Sequence, residues 1–255
     1  MAEGNIFEAF GASDSPRVAH YSEGLYPVVS GSLIKLSAVQ ESNVQSVLEG
    51  IRAELAKNLL NVEHIMHVRV ELAGPVGNSN APSDAFSTMN EGYRSVFVNS
   101  NPPPTRDTAG GCELSDGAQV RMTATVWKPG TVETGSEAPV IPVTLSGIVG
   151  KNIATGSLVT GGVEPEAECV FGEIQRQLNV IGLDKSNITY VRVMLAEADG
   201  DLGSSFDDSA IVHKVLKREL EDCGLYPEIE IIRGCQLLDD ARVEMVATAL
   251  KPNVV

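Results

Sequence analysis

GCELSDGAQVRMTATVWKP, residues 111–129, returns 123 positions later as GCQLLDDARVEMVATALKP, residues 234–252. Eleven of the 19 aligned positions are identical, and the alignment needs no gap. The same offset places Val68–Leu72 (VRVEL) over Val191–Leu195 (VRVML). One offset kept by separate segments is the mark of an internal duplication, so we expect two copies of one structural unit.

Each copy is predicted to fold as an α/β sandwich in the order β-β-α-β-α-β-β, with one mixed sheet and two helices on one of its faces. Apolar residues recur at helical spacing in two segments of each copy, and strands with alternating apolar residues surround them. Ser42 and Gln45 are placed for a capping box at the first helix. The second helices are expected near Asp84–Asn99 and Asp207–Cys223. The other face of each sheet is expected to be bare and apolar, which favours oligomerisation or packing between the copies.

The copies are predicted to form separate units, with residues 1–129 in the first, 130–140 in a linker and 141–255 in the second. Residues 129–139 (PGTVETGSEAP) have the composition of a linker and show no apolar periodicity. Residues 74–83 have a similar composition, and we interpret them as a surface loop that could border a pocket.

The charge of the chain bears on its partners, because 34 acidic residues outnumber 19 basic residues for a net charge of −15. Nucleic-acid backbones are bound mainly through lysine and arginine, so we expect no nucleic-acid partner. A small anionic metabolite can still be bound by one local arginine. No apolar run approaches the roughly 18 residues of a membrane span, and the N-terminus lacks the features of a signal peptide. We therefore expect a cytoplasmic protein with no membrane partner.

The chain contains four cysteines, Cys112, Cys169, Cys223 and Cys235. They show neither a CxxC spacing nor a histidine at zinc-ligand distance, so we expect four buried free thiols. His64 and His67 lie at the turn into a strand, where a spacing of three residues gives no common face. The sequence therefore predicts no metal site.

Three motifs follow one another along copy one. Residues 15–32 (SPRVAHYSEGLYPVVSGS) match a strand pair that ends in a Ser-Gly turn, residues 89–97 (MNEGYRSVF) match a helix motif Met-Asn-x-x-Tyr-x-x-x-Phe, and residues 103–108 (PPTRDT) match a strand motif Pro-x-Arg-x-Thr. These motifs extend across nearly all of copy one, and the internal repeat extends the similarity to copy two. This pattern resembles the RidA (YjgF/UK114) family of small enamine/imine deaminases.

The resemblance implies an assembly and a chemistry. RidA trimers close their bare sheet faces into a barrel, and their pockets lie between neighbouring units. In such a pocket an arginine binds the substrate carboxylate in a bidentate pair. A backbone amide near the Ser-Gly turn and an asparagine of the second helix line the pocket, and a glutamate of the last strand orients the attacking water. No metal or cofactor is implied. For a tandem chain we expect a homotrimer that supplies six units.

Carried onto copy one, the resemblance assigns substrate binding to Gly31, Asn90 and Arg106. Copy one departs from the family at Arg121, which stands where the glutamate is expected, and at Arg17, which replaces a pocket tyrosine. A guanidinium stays protonated and cannot act as a base. A pocket lined by Arg17, Arg106 and Arg121 would instead suit a dianionic ligand.

Copy two keeps the glycine as Gly156 and the glutamate as Glu244, its catalytic candidate. It lacks the other partners, because Ile229 stands at the arginine position and His213 at the asparagine position. Neither copy alone therefore carries the full set. Either an interface brings Arg106 towards Glu244 and rebuilds one shared pocket, or the copies drifted independently and copy two is structural.

Three functions remain compatible with the sequence. The first is an enamine/imine deaminase or a related hydrolase that acts on a small carboxylate-bearing metabolite. The second is a biosynthetic or lyase-type enzyme that acts on another anionic substrate. The third is a non-catalytic protein that uses the pocket for ligand sensing or scaffolding. The retained Gly31, Asn90 and Arg106 favour the first two, while the lost arginine of copy two favours the third. The net charge disfavours ribonuclease activity.

Overall fold

The structure, a computed structural model, describes residues 18–19, 31–78, 80–97, 100, 103–129, 140–152, 154–196, 202–224 and 226–252. Arg17 and the predicted linker up to residue 139 lie outside the described residues. Within the described ranges, no helix combines the length and the apolar character that a membrane crossing requires.

The first unit is a mixed sheet that carries two helices. The chain begins with β1 (Val18–Ala19), β2 (Gly31–Lys35), β3 (Val39–Glu41), α1 (Val44–Lys57), β4 (Ile65–Leu72), β5 (Gly77–Asn78), β6 (Ala81–Pro82), α2 (Asp84–Phe97), β7 (Thr105–Ala109) and β8 (Val120–Pro129). The first sheet has the order β2-β8-β4-β7, with β3 also beside β8. β4 and β7 are parallel, and its other pairs are antiparallel. β5 and β6 form a short hairpin within the loop predicted for residues 74–83.

The second unit repeats this arrangement. It contains β9 (Val140–Leu145), β10 (Ile148–Val149), α3 (Val163–Val180), β11 (Ile188–Ala196), α4 (Leu202–Glu219), β12 (Glu228–Cys235) and β13 (Val243–Pro252). Its sheet has the order β9-β13-β11-β12, with β10 beside β13. The predicted mixed α/β fold is confirmed, and the matching element orders of the two sheets fit a tandem pair.

Several local expectations differ from the structure. β1 pairs with β9 of the second sheet, with Val18 opposite Leu145, rather than with the first unit. Helix α1 is capped by Asn43, whose side chain accepts a hydrogen bond from the backbone of Ser46, so the predicted capping box was wrong. Helix α4 begins at Leu202 and ends at Glu219, earlier than predicted at both ends. Among the side chains of α4 that the structure describes, which start at Asp207, the buried apolar residues begin at Val212.

Each sheet buries its helix-facing side in an apolar core. In β4 the core residues are Val68, Val70 and Leu72, as the alternation predicts. The opposite side of β4 was expected to be bare and apolar, and that expectation was wrong. It carries His67, Arg69 and Glu71, which are all buried. These charged residues survive burial because they pair with one another and with neighbouring strands.

The two units meet in a buried junction between their equivalent turns. Gly110 and Gln236 exchange backbone hydrogen bonds of 2.8 and 2.6 Å. Cys112, which lies beside this contact, is disulfide-bonded, whereas Cys169 and Cys223 are free. The expectation of four free thiols was therefore wrong for Cys112, because the sequence did not reveal that these turns meet.

Among the described residues the two sheets stay separate, and no barrel closes within one chain.

Candidate functional site

The turn between β9 and β10 of the second unit lies against β7 of the first. The backbone nitrogen of Gly147 donates to the carbonyl oxygen of Arg106 over 3.2 Å. The hydroxyl of Ser146 donates to the same oxygen over 3.0 Å and accepts from the Arg106 backbone nitrogen over 3.4 Å. Three hydrogen bonds therefore fix the backbone of Arg106 to the Ser-Gly turn of the other unit.

The side chain of Arg106 is held by helix α2. Its guanidinium carbon lies 4.7 Å from the ring centre of Tyr93 and 5.9 Å from that of Phe86. Its Nη1 lies 3.6 Å from the sulfur of Met89. Burial lowers the pKa of Arg106, but a guanidinium remains protonated. Aromatic rings at these distances attract and orient the cation, so the charged group is held in a defined position.

Gly147 also contacts Glu244 of β13. A Cβ atom on Gly147 would lie 1.8 Å from the Oε1 of Glu244 and 3.2 Å from the Cβ of Asp107. No side chain fits in that space, so a glycine is needed for Glu244 to approach the turn. Gly147 therefore lies between the backbone of Arg106 and the carboxyl group of Glu244.

The surroundings of Glu244 favour its protonated form. Burial raises the pKa of this carboxyl group well above its ordinary value, and the nearby charge of Asp107 raises it further. Arg69 and Arg106, both from the first unit, act in the opposite direction. The charge of Arg106 in the first unit therefore acts on a carboxyl group of the second unit.

Asp107 belongs to a buried network beside Glu244. Its Oδ1 lies 2.6 Å from the Nε2 of His67, whose Nδ1 lies 2.9 Å from the hydroxyl of Thr105. That hydroxyl donates to the carbonyl of Met66, so it accepts from the histidine. Burial would raise the pKa of Asp107, but the charges of His67 and Arg192 hold it below its ordinary value.

Arg121 is bound to Glu71 rather than directed at a ligand. Its Nε and Nη2 each lie 2.6 Å from an oxygen of Glu71, and the Nη2 of Arg69 lies 3.0 Å from the same carboxylate. Burial would raise the pKa of Glu71, but Arg121 and Arg69 bring it below its ordinary value. The two residues are cross-strand partners on β4 and β8, so the sheet register fixes this pair.

The structure brings together some of the residues that the sequence predicts. The backbone of Arg106 and the carboxyl group of Glu244 both lie against Gly147 at the junction. Asn90 is buried on α2 beside Met89, and its Nδ2 has no hydrogen-bond partner among the described residues. Gly31 lies on β2 opposite Pro129, in the first unit. Arg17 lies outside the described residues.

Gly156 does not lie at the junction. It has a φ of +70° in an exposed turn, and nothing lies within 4 Å of a Cβ built there. Gly147 takes the place that Gly156 was expected to hold. His213 is exposed on α4, while Ile229 packs against the core of the second unit.

Sequence reasoning missed Gly147, although a signal existed. In the sequence, Leu145-Ser146-Gly147 has the same apolar-Ser-Gly pattern as Val29-Ser30-Gly31, at an offset of 116 rather than 123. In the structure this turn joins β9 to β10, and the strand pairing gives the corresponding place between β2 and β3 to Leu36-Ser37-Ala38. Asp107, His67 and Arg69 were missed as well, because their contacts depend on the register of parallel strands.

Comparisons with known proteins agree with the sequence motifs. No family model matches the chain. A human 2-iminobutanoate/2-iminopropanoate deaminase is 26% identical over 133 residues, which cover 51% of this chain and 90% of the relative. Among solved structures, RidA from a Psychrobacter species is 25% identical and E. coli TdcF with bound serine is 21% identical. The match to the Psychrobacter RidA covers 48% of this chain and 93% of that protein, with a TM-score of 0.37. The match to TdcF covers 47% of this chain and 84% of that protein, with a TM-score of 0.38. The predicted resemblance to the RidA family is confirmed.

Proposed function

We propose that the junction between the two units is one composite site that hydrolyses a small carboxylate-bearing enamine or imine. The observation that carries this proposal is the meeting of Arg106 from the first unit with Glu244 from the second, on either side of Gly147. Each unit lacks the half that the other supplies, since Arg121 stands at the glutamate position of the first and Ile229 at the arginine position of the second. The human relative is named for 2-imino acids, a class that carries the carboxylate an arginine binds.

In this proposal Arg106 binds the substrate carboxylate. Its guanidinium is oriented by Tyr93, Phe86 and Met89, so little side-chain freedom is lost when the ligand binds. The Nδ2 of Asn90 is a buried donor without a partner among the described residues, and it supplies a second hydrogen bond to the ligand. A buried donor left unpaired costs about 1–3 kcal/mol, so a ligand that accepts this bond gains affinity.

Glu244 carries the proton transfers. Its protonated carboxyl donates to the imine nitrogen, which makes the adjacent carbon more electrophilic and leaves a carboxylate. That carboxylate accepts a proton from the attacking water as the C–O bond forms, which gives a carbinolamine. Glu244 then protonates the amine nitrogen and takes the hydroxyl proton as the C–N bond breaks. The products are a 2-oxo acid and ammonia, and Glu244 ends in its starting state.

The proposal is tested by generating 2-iminopropanoate or 2-iminobutanoate in solution with an amino-acid oxidase and following the loss of the imine with and without the protein. We expect acceleration by the protein. Glu244→Gln should lower kcat by about 10²–10⁴-fold, because removal of an acid–base group costs that much. Arg106→Lys should raise KM at least about tenfold, because a lysine cannot form the bidentate pair.

Matched controls are available on the surface of α3 and α4. Glu168 and Arg218 are exposed and form an ion pair of 2.7 Å with each other. Glu168→Gln and Arg218→Lys make the same chemical changes and should leave both constants unchanged. An unchanged kcat in Glu244→Gln would remove Glu244 from the reaction and contradict the composite site. Binding of carboxylates without any acceleration would instead support the non-catalytic function.

A further inference from the structure

Arg69 is a buried cation, and two of its hydrogen-bond donors are unpaired among the described residues. Only 4% of its surface is exposed. Its Nη2 donates to Glu71, but its Nε and Nη1 have no hydrogen-bond partner in the part of the chain that the structure describes. Buried donors are normally satisfied, and those of a charged group are the most costly to leave unpaired. Two free donors on one buried guanidinium therefore indicate that an acceptor binds there.

These free donors belong to the junction site. Arg69 lies on the side of β4 that faces away from the core, and the strand register places it beside Asp107, the residue that follows Arg106. The charge of Arg69 acts on both Asp107 and Glu244. Arg106 approaches the same site from the helix side, through α2. The charges of both guanidiniums therefore act on the carboxyl group of Glu244.

We propose that Arg69 is a second anion-binding residue of this site, which therefore prefers a 2-imino or 2-oxo acid with a second acidic group at its far end. The inference rests on the proposed function and deepens it by naming the substrate class. It also replaces the expectation that Arg121 would contact the ligand, since Arg121 is bound to Glu71.

Calorimetry with stable 2-oxo acids tests this proposal. Oxaloacetate, 2-oxoglutarate and 2-oxoadipate cover a range of distances between the two acidic groups. The monoacid 5-methyl-2-oxohexanoate has almost the shape of 2-oxoglutarate, with an isopropyl group in place of the second carboxylate. We expect at least one dicarboxylate to bind about 10–100-fold more tightly than this monoacid, as a charge-assisted pair provides. Arg69→Gln should remove this preference while keeping the affinity for 5-methyl-2-oxohexanoate.

Arg192→Gln is the matched control. Arg192 is the repeat equivalent of Arg69 and is equally buried, but its Nε is already paired with Glu230 at 2.9 Å. Its substitution should change both affinities alike and keep their ratio. If Arg192→Gln also removed the preference for the dicarboxylate, the overall electrostatic potential of the site would explain that preference. The proposed role of Arg69 would then be overturned. Equal affinities in the unmodified protein would overturn the inference even if Arg69→Gln failed to fold. If no 2-oxo acid binds at all, the proposed function itself fails.

Discussion

Arg106 and Glu244 come from different halves of the chain and interact across the backbone of Gly147. The two groups are 138 positions apart in the sequence. A single strand-to-turn contact brings them together, because Gly147 and Ser146 hydrogen-bond to the backbone of Arg106. The geometry of that contact is therefore the most direct way to perturb the site without removing either charged group.

Gly147→Ala should disrupt the site more than the fold. The added Cβ would lie 1.8 Å from the Oε1 of Glu244, which is the movable end of that side chain. We expect the carboxyl to shift by an ångström or more, and displacement of that size can cost about 10²-fold in activity. Imine hydrolysis and thermal melting, measured together, should show a large loss of activity with a small loss of stability.

Gly156→Ala is the control for this substitution. Gly156 has a positive φ but open space around it, so the alanine should cost about 1 kcal/mol of stability and leave activity unchanged. If Gly156→Ala lowered activity and Gly147→Ala did not, the assignment of the turn would be reversed.

The pKa of Glu244 predicts a pH-dependent stability. Burial raises this pKa above the ordinary value of 4.5, with Asp107 acting in the same direction and Arg69 and Arg106 against it. A carboxyl with a raised folded-state pKa stabilises the fold below its unfolded-state pKa. That contribution is lost as the pH rises through the folded-state pKa. Relative to the unmodified protein, Glu244→Gln should therefore become progressively more stable as the pH rises above 4.5.

Urea unfolding at several pH values between about 4 and 8 measures this difference. Glu168→Gln removes an exposed glutamate and should give a difference that hardly changes with pH. A constant difference between Glu244→Gln and the unmodified protein would show that burial does not perturb Glu244.

The sequence predicted the fold more completely than it predicted the site. Alternating apolar residues such as Val68 and Val70 predicted the strands, and the repeat predicted that the second unit would have the same order. Gly156 was chosen because it lies 125 positions after Gly31, close to the repeat offset of 123, whereas Gly147 lies only 116 positions after Gly31. The pair of Arg121 with Glu71 was hidden because the two residues are 50 positions apart and meet only through the register of β4 and β8.

The cysteines give a chemical test of the junction. Cys112 is disulfide-bonded and Cys169 and Cys223 are free, so a disulfide within one chain leaves two of the four thiols titratable. Unfolding in denaturant without a reductant should expose two thiols to a colorimetric reagent, and prior reduction should raise the count to four. Four thiols in the unreduced protein would contradict the disulfide. Because a cross-link restricts the unfolded chain, reduction should also lower the melting temperature.

The homotrimer expected from the sequence is tested by the mass of the assembly. Within one chain the edge of the first unit at β7 meets the β9–β10 turn of the second, and Lys35 of β2 forms an ion pair of 3.2 Å with Glu230 of β12. If three chains associate, light scattering at micromolar concentration should return three times the mass of one chain. A mass of one or two chains would contradict this expectation, while the composite site, which lies within a single chain, would still bind its ligand.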